Sequence, residues 1–412
     1  MESVYKRPEI LSPAGSFENL KIAVRYGADA VYLGGSHFSL RSAAKNFSDA
    51  ALAEAIRYAH AAGVRVYVAA NVFAHDRDLE EAAAYFRFLE EAGPDGVLIS
   101  DPGMFRILRE NAPSLPVHIS TQANNTNRET FLFWYGLGVR RIVAARELTL
   151  SELTGIRAAV PGDLTIEAFV HGAMCISYSG RCLLSSVMTG RDANAGSCTH
   201  PCRWTYRLVE EKRPGEYFPV FEDDRGTTIL HSKDLCMIDA LPELLSAGVG
   251  SLKIEGRMRS GLYVAQTTAS YRKAVDLLLA DPGRYEAEKE GLLRLCENGN
   301  VRPFTHGFYF GRPDSSAQIY EKEAERAQEY LGVIDRVDED GYAHIRQKNK
   351  FSEGDAVEVL LPDGTVRKSR AAGMHNAAGE TISSAPHPGE EVCVRLDGAE
   401  EGLVVRRQAS GA

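Results

Sequence analysis

From Glu9 to Ala280 the chain repeats one unit, a short apolar run followed by an amphipathic segment of helical period. EILSPA leads into SFENLKIAVRYG, AVYLGG into ALAEAIRYAHAAG, RVYVAANV into DLEEAAAYFRFLEEAG, and GVLIS into DPGMFRILRENA. PVHIST leads into NRETFLFWYGLG, RRIVAAREL into TLSELTGIRAAV, LTIEAFVHG into a cysteine-bearing segment, and SLKIEGR into SGLYVAQTTASYRKAVDLLLA. The apolar runs are nearly continuous in Val, Ile and Leu, as parallel strands buried on both faces require. Helical segments stop near Gly27, Gly63 and Gly93, where a left-handed C-terminal residue is cheap for glycine. The pattern predicts an α/β fold, a (β/α)8 TIM-type barrel over residues 1–280. A doubly wound sheet has less support, since no G-x-G-x-x-G follows the first strand.

A chain of 412 residues exceeds what one core usually holds, and the pattern changes after Asp281. Residues 281–330 read as a Gly/Pro-punctuated connector ending in a charged run. From Leu331 the text becomes short alternating strands (YLGVIDRV, YAHIRQ, AVEVLL, TVRKS, EVCVRL, GLVVRR) with turn pairs at Asp340-Gly341, Glu353-Gly354 and Asp363-Gly364. A small β-barrel domain over 331–412 is expected, either recognising a macromolecule or covering a barrel face, with Cys393 in its core. The net charge of −9 excludes a generally basic nucleic-acid binder. Any RNA contact made by this domain must come from stripes such as Arg346, Lys348 and Lys350 or Arg367, Lys368 and Arg370, which read equally well as solvated strand faces. No apolar run reaches the ~18 residues of a membrane span, and MESVYKRPEI lacks an apolar h-region. The expectation is a cytoplasmic protein with no membrane contact.

Seven cysteines are distributed unevenly. Cys175, Cys182, Cys198, Cys202 and Cys236 crowd into segment 171–236, leaving only Cys296 and Cys393 elsewhere. Core packing fits poorly, because the flanking residues are Ser, Gly, His and Arg. A disulfide framework fits poorly too, given the odd number and the absence of a leader. Structural zinc usually arrives as paired C-x₂₋₄-C knuckles, and here Cys198 and Cys202 form the single tight pair. Thiolates select zinc or iron–sulfur clusters, and the irregular spacing suits a cluster held between several loops of one domain.

Barrel enzymes work at the C-terminal ends of their strands. The polar residues there are Asn71, Thr121 with Gln122, Arg146 with Glu147, His171, and Glu255 with Arg257. His171, Glu255 and Arg257 are the candidate catalytic groups; Arg41, Asn71, Gln122 and Arg146 are the candidate ligand-binding groups. Each has a plain structural alternative: Asn71 or Gln122 satisfying loop backbone, Glu255 and Arg257 pairing to close the barrel. The sequence carries neither H-E-x-x-H nor G-x-S-x-G. A cysteine peptidase drawn from His171 with Cys175, or His200 with Cys198 or Cys202, would leave the other cysteines unexplained. A non-catalytic iron–sulfur scaffold or partner subunit is a third reading.

SPAGSFENLKIAVRYGADAVYLGG, EAFVHGAMCISYSGRCLLSS, GSCTHPCRW, SKDLC, KIEGRMRS and FTHGFYFG together resemble the collagenase-like peptidase family U-32 over most of the chain. Members first described as peptidases are associated with oxygen-independent hydroxylation of RNA bases or of quinone precursors. The resemblance is strongest to the branch that makes 5-hydroxyuridine at the wobble position of tRNA in a prephenate-dependent way; quinone-branch members resemble the barrel alone. It implies a [4Fe–4S] cluster on Cys175, Cys182, Cys198 and Cys236, with Cys202 the alternative to Cys198. It further implies prephenate as co-substrate, its two carboxylates met by Arg forks from among Arg257, Arg146 and Arg41. The implied partners are a tRNA anticodon loop, an electron donor that the sequence does not identify, and a related family subunit. Hydroxylating C5 of uracil without O₂ requires a redox-capable centre that side chains do not supply. An anticodon-loop base is already single-stranded, so extruding it into a barrel mouth costs less than opening a duplex.

Overall fold

The computed structural model describes residues 5–409 except 41–45, 175–181, 183, 192, 194–196, 202–207, 210–216, 219–220, 224–225, 229–230, 299, 301, 314–317 and 320–326. Strands β1 (Glu9–Pro13), β2 (Ala30–Gly34), β3 (Arg65–Ala69), β4 (Gly96–Ile99), β5 (Val117–Ile119), β6 (Arg141–Val143) and β7 (Thr165–Gly172) pair in chain order, all parallel. The final barrel strand, Val249–Ile254, pairs with both β7 and β1 and closes an eight-stranded parallel barrel. All eight expected strands are present.

The intervening helices start where a side chain accepts a first-turn N–H. Ser16 caps α1 (Phe17–Arg25), and Asp101, followed by Pro102, caps the helix Pro102–Asn111. Thr149 and Glu152 form a reciprocal capping box on the helix Leu150–Ala159. After β7 the chain enters the cysteine-bearing segment, which includes the short helix Leu184–Thr189, and returns as a short strand, Asp234–Cys236, antiparallel to the end of β7 with Cys236 opposite His171. Phe304–Thr305 adds to the far side of that strand. The long helix Gly261–Ala280 follows the final barrel strand.

Residues Pro282–Asn298 form a further helix packed on Gly261–Ala280, burying Tyr285, Leu292 and Cys296. The Gly/Pro signals that mark 281–330 as a connector begin in earnest only after this helix. Pro282 stands at its first position, where a missing N–H costs nothing.

The tail is a seven-stranded antiparallel sheet in the order Val366–Arg370, Ala356–Leu360, Val404–Gln408, Gln328–Val337, Tyr342–Arg346, Glu391–Arg395, Ala372–Asn376. Its two outer strands are joined through Ala371 alone, so the sheet curls into a half-barrel until its edges meet in one run of chain. This domain lies against the outside of the TIM barrel. The Tyr26 hydroxyl at the end of α1 donates to the Leu360 carbonyl at 2.7 Å and accepts from the Val404 N–H at 2.9 Å. Glu18 at the start of α1 accepts from Tyr330 and Lys348, and Gln266 of the long helix bonds Gln328. Lys348, expected in an RNA-facing stripe, is therefore committed to the seam between the domains. Cys393, expected in the core, is half-buried beside His344.

Candidate active site

At the C-terminal end of the barrel the strand ends are stitched together by small polar side chains. Ser100, after β4, donates to the Asn71 carbonyl at 3.2 Å, and the Asn71 amide donates to Ser120 Oγ at 3.2 Å. Asn125 donates to the Ser120 and Val143 carbonyls at 2.9 Å each, tying the end of β5 to that of β6. This stitching uses the amide groups of Asn71 and Asn125, and Asn71 Oδ1, Gln122 Oε1, Asn124 Oδ1 and Asn125 Oδ1 are buried and meet no donor among the described residues. Buried unpaired acceptors are rare and call for a reason. A row of them at a barrel mouth is suited to receiving N–H groups of a ligand.

The opposite side of the mouth is charged. Arg146 donates to Glu255 Oε2 and to the Ala173 carbonyl, both at 3.3 Å, while its guanidinium lies 3.8 Å from the centre of the Phe169 ring. Glu255 in turn bonds the top of β7 through its backbone N–H to the His171 carbonyl at 2.9 Å. Gly172 has φ +105°, and a Cβ there would lie 2.7 Å from the Glu255 carbonyl oxygen, so this close approach of the two strand ends requires glycine. Arg257 lies toward β1 and β2, where it donates to Ser39 Oγ at 2.8 Å. A Cβ on Gly34 would stand 2.2 Å from Arg257 Nη1, so the second glycine makes room for the guanidinium.

His171 is placed differently from an open acid–base group. It is buried to 1% exposure and walled by the rings of Tyr263, Tyr271 and Phe304 at 5.8, 5.7 and 5.1 Å. Neither of its nitrogens has a hydrogen-bond partner meeting normal geometry among the described residues. Cys236, opposite it on the neighbouring strand, lies beneath the mouth in contact with Tyr271 and beside Cys296. Burial pushes the Cys236 thiol well above its ordinary range, reinforced by Cys296 and opposed by His171. The structure thus pairs Arg146 with Glu255 and, separately, His171 with Cys236, sets Arg257 apart toward β1 and β2, and places Asn71 and Gln122 at the ends of β3 and β5. Arg41, Cys175 and Cys202 lie outside the described residues.

Cys182 and Cys198 are half-buried on the segment that leaves the end of β7; the His200 N–H points at Cys198 Sγ from 3.4 Å. These soft, partly desolvated donors, one with an N–H on its sulfur, have the chemistry that an iron–sulfur centre takes. By donor chemistry, Cys182 and Cys198 fit such a group.

Below the mouth the barrel interior holds ions that the sequence reading passed over as interruptions of apolar runs. Arg141 of β6 bonds Glu9 of β1 and reaches Glu167 of β7 at 3.1 Å. Lys253 of the final strand donates to Glu167 at 2.6 Å, and Ser251 and Tyr67 add bonds to Glu9 at 2.9 and 2.7 Å. Burial acts to raise the Glu9 carboxyl, but Arg141 and Arg65 outweigh it and hold Glu9 below its ordinary value. Burial depresses Lys253, against the pull of Glu167. A signal was available in the sequence: each of these residues replaces an apolar one inside a strand, two acidic and two basic, on strands that a barrel brings face to face.

The model of peptidase family U32 matches residues 15–319, and that of the peptidase family U32 C-terminal domain matches 326–406. The chain is 37% identical over 396 residues to a Bacillus subtilis protein named tRNA hydroxylation protein P1, covering 96% of this chain and 93% of that one. It is 38% identical over 427 residues to tRNA hydroxylation protein P of Escherichia coli, covering 94% and 93%. A third relative, named 23S rRNA 5-hydroxycytidine C2501 synthase, from Escherichia coli, is 37% identical over 283 residues, 67% of this chain and 40% of that one. Two family models that between them span barrel and tail, and relatives matched along nearly their whole length, make this chain a member of peptidase family U32.

Proposed function

We propose that this chain is a tRNA-modifying enzyme that hydroxylates C5 of the wobble uridine without O₂, with prephenate as co-substrate and a [4Fe–4S] centre on Cys175, Cys182, Cys198 and Cys236. The similarity to proteins named for tRNA hydroxylation supports the reaction class, and the name of the rRNA relative supports pyrimidine hydroxylation at C5 as a family chemistry. The observation that carries the reading is the division of the mouth: unpaired carboxamide oxygens at the ends of β3 and β5, guanidinium groups and Glu255 around the ends of β7 and β2. Uracil offers one N–H and two carbonyls at its edge, so a carboxamide oxygen accepts N3–H while neighbouring donors serve the carbonyls. Arg146 and Arg257 serve the carboxylates of the co-substrate. The bound centre supplies one-electron chemistry that no side chain here provides. Glu255, held by Arg146, is placed to take up a proton at the mouth, and His171 stays beneath it as a packed wall next to Cys236. A peptidase finds less support, since the chain carries neither H-E-x-x-H nor G-x-S-x-G.

The test is the nucleoside profile of tRNA from cells lacking this protein, in a background without any second route to 5-hydroxyuridine. The expected result is loss of that nucleoside, restored by the parent gene and not by Cys182→Ala. An unchanged profile in the deletion background overturns the proposal. Visible spectra and iron and sulfide analysis of anaerobically purified protein test the centre separately; stoichiometric zinc in the barrel cysteines would remove it from the reading.

A further inference from the structure

On the outer face of the tail sheet, four strands bring together a set of donors that the hydroxylation chemistry does not use. His344 and Cys393 stand directly opposite each other on strands Tyr342–Arg346 and Glu391–Arg395. Arg336 is the register partner of His344 on the strand to one side, and His375 that of Cys393 on the other. Residues directly opposite across a ladder share a face, as do residues two apart along a strand. Glu391 thus joins the same face as Cys393.

The atoms converge closely. His344 Nδ1 is 2.8 Å from Glu391 Oε1 and 3.3 Å from Cys393 Sγ, and one ligand atom from each residue lies within 4.8 Å of the others. Behind the ring, His344 Nε2 is 3.1 Å from Asp338 Oδ2, and Asp338 is itself fixed by the backbone N–H groups of Asp340 and Tyr342 at 3.1 and 2.8 Å. With Nε2–H donating to Asp338, Nδ1 carries the lone pair, and Arg336 Nη2 points at that lone pair from 2.9 Å while standing 3.8 Å from Glu391. A guanidinium cation thus stands against the imidazole nitrogen and the carboxylate oxygen, two of the three ligand atoms that converge here. The Arg336 side chain is 57% exposed, so it can swing to solvent, whereas the His344 side chain is 10% exposed and fixed.

We propose that His344 Nδ1, Cys393 Sγ and Glu391 form a binding site for a zinc-class divalent ion, with Asp338 orienting the imidazole from behind and Arg336 as the competing internal cation. A mixed N, S, O set selects zinc and its neighbours over calcium or magnesium. The carboxylate–histidine–metal arrangement is the usual way a ligating imidazole is held in the right tautomer. Tetrahedral zinc with bonds of 2.0–2.3 Å places its ligand atoms about 3.3–3.8 Å apart. The Nδ1–Sγ separation of 3.3 Å already lies at the lower edge of that range, and the Nδ1–Oε1 separation of 2.8 Å widens into it by a rotamer adjustment of half-exposed Glu391. The remaining position is left to water or to His375. An ion here would clamp strands Tyr342–Arg346 and Glu391–Arg395 and the turn at Asp338–Gly341.

The test uses the full chain, anaerobic and reduced, titrated with zinc chloride and in parallel with cobalt chloride, comparing the parent with Cys393→Ser, His344→Ala and Arg336→Ala. The barrel cysteines are the same in all four proteins, so differences report the tail alone. The expected result is one equivalent of zinc fewer in Cys393→Ser and His344→Ala than in the parent. A thiolate–cobalt absorption should be lost in Cys393→Ser, and Arg336→Ala should bind severalfold more tightly. Zinc should raise the melting temperature of the parent tail and leave that of Cys393→Ser unmoved. Equal zinc uptake in the parent and Cys393→Ser overturns the proposal. So does unchanged or weaker binding in Arg336→Ala, which would make the cluster an ion-pair network of the imidazolium and its two carboxylates. If His344→Ala fails to fold, the sign of the Arg336→Ala effect still decides.

Discussion

Replacing Glu167 by Gln keeps the shape of the side chain and removes one charge from the barrel interior. Glu167 takes Arg141 at 3.1 Å on one oxygen and Lys253 at 2.6 Å on the other, with side-chain exposures of 1, 10 and 4% for the three residues. Arg141 retains Glu9 after the change, but Lys253 loses its one carboxylate partner of that closeness among the described residues. Breaking a buried pair from one side costs about 3–5 kcal/mol, because it strands the other charge. Lysine can escape by losing its proton, which sets a ceiling. Starting from an ordinary value of about 10.4, deprotonation at pH 7 costs roughly 3.4 units times 1.36, or about 4.6 kcal/mol. The two figures agree, so a loss of about 3–5 kcal/mol is expected at pH 7. Burial already depresses Lys253 in the parent, and the variant deepens that depression. The unfolded chain then binds more protons than the folded one between the depressed value and about 10.4, so stability of the variant rises with pH in that window. The ceiling falls to about 2 kcal/mol at pH 9 by the same arithmetic. Urea unfolding of parent and variant at pH 7, 8 and 9 measures the gap. Glu167→Gln with Lys253→Met should recover much of the loss, since removing both partners leaves no orphan. A gap below 1 kcal/mol at pH 7, a gap that widens with pH, or a double variant no better than the single would refute the reasoning.

Tyr26→Phe removes the hydroxyl that bonds Leu360 and Val404 and should cost about 1–3 kcal/mol; hydrogen exchange at the Val404 amide should accelerate more than exchange in β4. Gly34→Ala drives a Cβ into Arg257 Nη1 and Ser39 Oγ, so loss of tRNA product with an unchanged far-ultraviolet spectrum is expected, and full activity would deny Arg257 a role. The bond to Asp239 raises His306 above its ordinary value, against desolvation. Its contribution to stability should therefore be complete below the unfolded value of about 6.5 and fade as pH rises through the folded one. Carbon-resolved titration of the ring should show Asp239→Asn returning it toward the ordinary value.

What was legible in the sequence follows from which interactions are local. The eight barrel strands could be read because a strand buried on both faces must be apolar along its whole length, and each amphipathic helix carries its own period and caps. The helix Pro282–Asn298 went unread because its apolar face is short, Tyr285, Leu292 and Cys296, and lies within a charged text. The strand Asp234–Cys236 is three residues long and exists because the end of β7 offers it an edge, a contact with residues sixty positions earlier. The site divides the same way. Barrel topology located Asn71, Gln122, Arg146, His171, Glu255 and Arg257 at the strand ends, but the pairing of Arg146 with Glu255 spans 109 positions and left no local trace. Conversely Cys393, in the apolar strand EVCVRL, looks like core until the register sets His344 opposite.

The strand β7 shows how the buried ions and the mouth are joined. Glu167 and Phe169 lie on the barrel side of it, but an extra residue of β7 before His171 pairs that residue with Ile254 and turns it to the other side, toward the helix Gly261–Ala280. Glu167 meets Arg141 and Lys253; the Phe169 ring lies under Arg146 at 3.8 Å and beside Lys253 at 5.3 Å; His171 meets aromatic rings. In the final strand the ladder to β7 runs evenly from Ser251 to Lys253 and then shifts register, so that Ile254 pairs with His171. Such a shift re-aims the residues that follow it. Glu255, two residues after Lys253, keeps to that lysine's face and reaches across to Arg146, so the cation over Phe169 is held from two sides, by the ring and by the carboxylate. What the irregular register re-aims is His171, and a variant that removed the extra residue of β7 would turn His171 toward the barrel interior while leaving Glu255 on the face it shares with Lys253.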